Sequence, residues 1–121
     1  MKKKILIVDD DPRNIFALKL TLKARGFRME TCTMAQEAIH ILKSDPQIGL
    51  VLMDMMMPEM DGYEAVKIIR ETPSISHVPV IAVTAQAMEE DRQKCIDAGA
   101  QEYVKKPIDV EELLTAIEKF A

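Results

Sequence analysis

Short, continuously apolar runs alternate along the chain with segments whose apolar residues recur every three or four positions. The runs are Ile5-Leu6-Ile7-Val8, Met29 to Cys32, Ile48 to Met53, Val80-Ile81-Ala82-Val83 and Glu102-Tyr103-Val104. The first, third and fourth are unbroken rather than alternating, as expected of strands covered on both faces. The intervening segments carry helix signals. Pro12 suits a first helical position behind Asp11 as N-cap, and Gly26 after Arg25 is a terminator; Ile15, Leu18 and Leu22 form the stripe between them. Thr33 and Gln36 have capping-box spacing ahead of Ala35, Ala38, Ile39 and Leu42. Asp61 with Glu64 opens a third helix carrying Ala65, Ile68 and Ile69. A fourth begins near Met88 and closes at Gly99. Asp109 with Glu112 opens a fifth, carrying Leu113, Ala116, Ile117 and Phe120.

A strand followed by a helix, five times over, predicts an α/β fold: a five-stranded parallel sheet, doubly wound, with right-handed crossovers placing helices on both faces. No repeat, low-complexity tract or linker divides residues 1–121, so one domain is expected. Ligands of such sheets bind beyond the carboxyl ends of the strands, near the switch in strand order.

Composition narrows the function without naming it. The chain of 121 residues is 48% hydrophobic and 30% charged, ordinary for a soluble globular protein. Its net charge of −4 argues against direct nucleic-acid binding, which needs clustered Lys and Arg. Lys2-Lys3-Lys4 leads only into Ile5 to Val8 before three aspartates, too short a run for an export signal or a membrane span, so a cytoplasmic location is expected. Cys32 and Cys95 form no Cys-x-x-Cys pair and read as buried thiols rather than a disulfide.

The strand ends are where chemistry concentrates. The first gives Asp9-Asp10-Asp11, the third Asp54, the fourth Thr84 and the fifth Lys105-Lys106-Pro107; the second, Thr31-Cys32-Thr33, is chemically bland. Asp11 is assigned to the helix cap, because Pro12 follows it. Asp9, Asp10 and Asp54 brought together would repel and push one another towards protonation. A hard divalent cation removes that conflict, and carboxylates with water suit magnesium. An ionised Asp54 beside a metal and a lysine can act as a nucleophile and take a phosphoryl group covalently. Lys106 supplies a cation for one phosphoryl oxygen and Thr84 a hydroxyl for another. Pro107 holds the Lys106 backbone out of the helical region and permits a cis bond, so Lys105 should face elsewhere.

With those residues in place the sequence resembles a response-regulator receiver domain of two-component signalling, a flavodoxin-like fold, over its whole length. "ILIVDDDPRN" carries the acidic pair Asp9 and Asp10, and "VLMDMMMPEMDG" carries the phospho-acceptor Asp54. "PVIAVTAQA" carries the switch threonine Thr84 with Ala85 beside it, and "GAQEYVKKPI" carries Tyr103 and Lys106-Pro107. The resemblance implies Mg2+ held by Asp10, Asp54 and the backbone carbonyl of Met56, with Asp9 acting through water. It implies phosphoryl transfer to Asp54 from a histidine kinase or histidine phosphotransfer protein, with Thr84, the Ala85 backbone and Lys106 around the phosphoryl group. It further implies that Thr84 and Tyr103 move together, altering a face made by the fourth helix, fifth strand and fifth helix for a downstream protein. Met56 and Gln86 sit at the family's lifetime-tuning positions. Met56 has no group to orient attacking water, so slow self-dephosphorylation is expected, without enzymatic turnover.

Other readings are weaker. Copper binding by the methionines of residues 53–60 conflicts with the alternating directions of an extended segment, and flexible packing explains them. His77, beside Val78-Pro79, reads as a surface loop residue. An FMN site would need a Gly/Ser/Thr-rich first crossover rather than an acidic one. A phosphohydrolase would want an acid at Met56, and a pseudo-receiver binding module would have lost one of the key residues. The sequence fits a stand-alone receiver and one cut from a hybrid kinase equally, although "PRNIFAL" is reminiscent of the latter. A homodimer through the fourth- and fifth-helix face is compatible with the sequence, but nothing specific calls for one.

Overall fold

In the computed structural model, which describes residues 3–57, 59–85 and 88–120, five strands and five helices alternate strictly. The strands are β1 (Lys4–Val8), β2 (Met29–Cys32), β3 (Ile48–Asp54), β4 (Val80–Thr84) and β5 (Glu102–Lys105). The helices are α1 (Pro12–Ala24), α2 (Ala35–Ser44), α3 (Gly62–Glu71), α4 (Glu89–Ala98) and α5 (Val110–Glu118). All four strand pairings are parallel, in the order β2-β1-β3-β4-β5. The order reverses beside β1, so the crevice at the carboxyl ends of β1 and β3 is the expected ligand position.

Side chains alternate across the strands and divide the core in two. Leu6, Val8, Val51, Met53, Val80 and Ala82 face α2, α3 and α4. Ile5, Ile7, Leu50, Leu52, Ile81 and Val83 face α1 and α5, where Leu18, Leu22, Leu113 and Ile117 cover them. Every residue of β4 is buried, which is why its sequence runs apolar without interruption. β2, at the edge, is only partly covered and reads as mixed.

Local signals set the helix ends. Asp11 caps α1 by accepting the Arg13 N–H at 2.9 Å, with Pro12 at the first turn, and Gly26 after it takes a positive φ of 83°. Asp61 and Asp109 accept the N–H groups of Glu64 and Glu112 at 3.0 and 3.1 Å and start α3 and α5. The Asp91 carboxylate accepts the Met88 N–H at 3.2 Å at the start of α4. The expected capping box at Thr33 does not form. Met34 is the N-cap of α2 and no side chain caps it; the first helical carbonyl is that of Met34, which accepts from Ala38 at 3.1 Å, so Thr33 lies one residue too early and is exposed.

At the end of the sheet away from the crevice, Arg70 is a half-buried cation bonded mainly to backbone carbonyls. Its Nε donates to Gly99 at 2.8 Å and its Nη1 to Ser76 and Val78 at 3.1 and 2.7 Å. These bonds tie α3 to the loops flanking β4 and α4.

Candidate functional site

Asp9 and Asp10 after β1, Asp54 of β3 and Lys106 after β5 come together at the carboxyl edge of the sheet. Asp9 follows directly on β1 and is buried at 3% exposure. Its Oδ1 accepts the Asp11 N–H at 2.8 Å, and its Oδ2 lies 3.5 Å from the Asn14 side-chain amide. Asp10 is exposed, and Asp11 is turned to its helix cap, in an ion pair with Arg13 at 3.2 Å. The Arg13 guanidinium and N–H beside Asp11 hold its carboxyl below the usual range.

Asp54 is itself the last residue of β3, in register with Val83 of β4. Sequence reasoning ended that strand one residue earlier; the ladder continues because the Met55 N–H still finds the Val83 carbonyl, at 3.0 Å. The Asp54 carboxylate is only 4% exposed and accepts the Met56 N–H at 3.0 Å. Burial is the main reason its pKa is raised from 3.8 to about 6, and the nearby charges of Asp9 and Asp10 push the same way. The Met56 N–H and the Lys106 ammonium oppose the shift without cancelling it.

Lys106 reaches in from the loop after β5, its Nζ 3.4 Å from Asp9 and 3.6 Å from Asp54. The Lys106–Pro107 bond is cis, and the Lys106 N–H donates to the Thr84 carbonyl at 2.8 Å. Lys105 is exposed, as expected of the lysine facing away. Thr84 is fully buried at the end of β4, and Ala85 after it is exposed. Gln86 lies outside the described residues. Tyr103, on β5, is half-buried and packs against the core that includes α3 and α4.

Met53, Met55 and Met57 share one core cluster, with Met60 packed against it, as expected of packing residues. Met53, Met55 and Met57 are buried, whereas Met56 is 52% exposed. Both thiols are free and buried, and burial pushes Cys32 up to about 11 and raises Cys95 as well, leaving them protonated. His77 is exposed.

Asn14 was not legible as a site residue. It stands one turn into α1 behind the cap, and only the fold reveals that its amide turns back to Asp9. Gly62 closes the motif "VLMDMMMPEMDG", but only the fold reveals its backbone role: its N–H donates to the Met55 carbonyl at 3.2 Å, directly beneath the acceptor segment.

One oxygen from each of Asp9, Asp10 and Asp54 lies within 4.8 Å of the others. Opposite ligands of an octahedral magnesium ion stand about 4 Å apart, so these carboxylates fit a hard divalent cation after small side-chain adjustments. Three acids with one lysine also leave the crevice net negative, the condition that a cation relieves.

Comparison with known proteins gives a consistent result. A family model described as the response regulator receiver domain matches residues 5–118. The response regulator DivK of Brucella ovis is 31% identical over 120 residues, covering 99% of this chain and 97% of DivK. The signal transduction histidine kinase BarA of Escherichia coli is 38% identical over 109 residues, which are 90% of this chain but only 12% of BarA. Among solved structures, the receiver domain of the Pseudomonas aeruginosa sensor kinase PA1611, with magnesium coordinated in its active-site cleft, superposes at a TM-score of 0.89. It has 31% identity and covers 99% of this chain and 98% of that one. The Saccharomyces cerevisiae Ssk1 receiver domain, crystallised with the histidine phosphotransfer protein Ypd1, gives 0.91 at 28% identity, covering 98% of this chain and 88% of that one.

Proposed function

The chain belongs to the response regulator receiver family of two-component signalling, and from that premise we propose that Asp54 accepts a phosphoryl group from a phosphohistidine on a partner protein. The observation that carries this reading is the Asp54 carboxylate itself: buried at the end of the central strand, among two further acids and the Lys106 ammonium. Asp9, Asp10, Asp54 and the backbone carbonyl of Met56 would hold Mg2+, which when bound neutralises charge on the incoming phosphoryl group. The magnesium in the PA1611 receiver supports that choice of cation. The Ypd1 partner of Ssk1 and the kinase BarA support the phosphohistidine donor.

An Asp54 oxygen attacks phosphorus in line. The P–N bond to the donor imidazole breaks, its electron pair returns to the ring nitrogen, and that nitrogen takes up a proton from water. The product is a mixed carboxylic–phosphoric anhydride on Asp54. Lys106 swings from the Asp9 and Asp54 carboxylates to a phosphoryl oxygen, while the Thr84 hydroxyl and Ala85 N–H take another. Asn14 and the Asp11 N–H hold Asp9 in place throughout. Thr84 and Tyr103 then rearrange together, and the face made by α4, β5 and α5 passes the change to a downstream protein. The chain is an acceptor and slow self-hydrolysing switch, not an enzyme with turnover.

Incubation with a 32P-phosphorylated histidine phosphotransfer protein tests this. Label should move to the wild type in magnesium, and to neither the Asp54→Ala variant nor the wild type in EDTA. Equal labelling of Asp54→Ala would overturn the assignment of the acceptor.

A further inference from the structure

The acceptor segment is gripped from two sides. The Met55 N–H donates to the Val83 carbonyl of β4 at 3.0 Å, and the Met55 carbonyl accepts the Gly62 N–H, the first of α3, at 3.2 Å. One residue further on, the Met56 N–H fixes the Asp54 carboxylate at 3.0 Å. The position of Asp54 therefore depends on how closely the start of α3 approaches residues 54–56.

That approach leaves no room for a side chain at position 62. A Cβ there would stand 2.6 Å from the Met55 Cα, 2.7 Å from the Asp54 carbonyl oxygen and 2.7 Å from the Met55 sulfur. The sulfur sits on a flexible side chain and can yield. The other two atoms are backbone, and each is well short of the 3.4 Å at which ordinary contact begins. Gly49 is a useful contrast, since the three atoms nearest to a Cβ there are aliphatic carbons of the Lys3 side chain rather than backbone. β4 braces the far side of Met55, so displacement by a methyl at position 62 passes along the chain to Met56 and the carboxylate it holds.

We infer that Gly62 is a positioning residue for the phospho-acceptor: bare backbone at the first position of α3 sets where the Asp54 carboxylate and the Met56 backbone stand. The inference rests on the reading of Asp54 as acceptor. It concerns the first residue of α3, whose N–H bonds the Met55 carbonyl directly beside the acceptor.

The test compares wild type, Gly62→Ala, Gly49→Ala, Met55→Ala and the double variant Met55→Ala/Gly62→Ala, each checked for folding by circular dichroism and urea titration. The first readout is the Met56 amide resonance in metal-free protein, which reports its hydrogen bond to Asp54. The second is the rate of Asp54 phosphorylation by acetyl phosphate in magnesium. Gly62→Ala should fold, move the Met56 amide resonance and lower the saturating rate by roughly tenfold to a hundredfold, the scale of a misplacement below 1 Å. Half-saturation for acetyl phosphate should change little. Gly49→Ala should match wild type in both readouts. Met55→Ala should be less stable yet keep the wild-type resonance and rate, and the double variant should remain slow because the two backbone contacts persist. A wild-type resonance and rate in Gly62→Ala, recovery of the rate in the double variant, or failure of Gly62→Ala to fold would each overturn the inference, the last by making Gly62 a folding residue. If the wild type itself accepts no phosphoryl group, it is the acceptor reading that falls, and the resonance still reports on the backbone coupling.

Discussion

Replacing Asp54 by Asn should stabilise the metal-free protein at neutral pH. The carboxylate is buried and its pKa is raised to about 6, so the folded chain binds its proton more tightly than the unfolded chain, where the group titrates near 3.8. Below pH 4 the acid is protonated in both states and contributes no difference. Between about pH 4 and 6 only the unfolded chain is ionised, so stability falls across that window; above 6 the folded state also ionises its desolvated group and the loss is complete. A shift from 3.8 to about 6 corresponds to about 3 kcal/mol once both states are ionised. Asn keeps a carbonyl for the Met56 N–H and carries no charge. Urea titrations in EDTA from pH 4 to 8 should therefore show wild type and Asp54→Asn converging at the acid end and separating by up to about 3 kcal/mol at pH 8, roughly 10 °C in Tm. Saturating magnesium should narrow the gap, because it stabilises the wild type by mass action and the variant far less. Parallel curves across the pH range, or a less stable Asp54→Asn at pH 8, would refute the argument that burial places the acceptor under electrostatic stress.

Lys106→Met should slow phosphorylation of Asp54 by roughly tenfold to a hundredfold while preserving the fold, read by intact mass against time, because it removes the ammonium 3.6 Å from the acceptor. Met56→Asn should hasten loss of the phosphoryl group in a decay assay, since an exposed thioether is exchanged for an amide able to orient water; an unchanged rate would remove Met56 from lifetime control. Arg70→Leu should destabilise the fold by about 2–4 kcal/mol in urea, by stranding the carbonyls of Gly99, Ser76 and Val78, yet leave the phosphorylation rate of the folded fraction unchanged.

The parts of this structure that could be read from sequence are those in which a local pattern and a tertiary requirement coincide. Ile5 to Val8 and Val80 to Val83 are continuously apolar because helices cover both faces, so the run itself announces a central parallel strand. Asp9, Asp54, Thr84 and Lys106 were placed by the rule that such sheets do chemistry at their carboxyl ends, and the crevice brings Asp9, Asp54 and Lys106 into contact. Thr33 shows where a local rule fails: the residue type and spacing suit a cap, but Met34 supplies the first helical carbonyl. Asn14, the backbone role of Gly62 (a residue visible in the sequence only as part of a motif) and Arg70 lay beyond sequence reading for another reason. Each acts on a partner fixed only by packing: a carboxylate five residues away, the backbone beneath the acceptor, and carbonyls from two loops.

The most direct measurement is intact mass after incubation with acetyl phosphate, with magnesium and with EDTA, on wild type and Asp54→Ala. The wild type should gain the mass of one phosphoryl group in magnesium alone, and the variant should gain none in either condition. A wild type that never gains it, or an Asp54→Ala chain that gains it equally, would contradict the account.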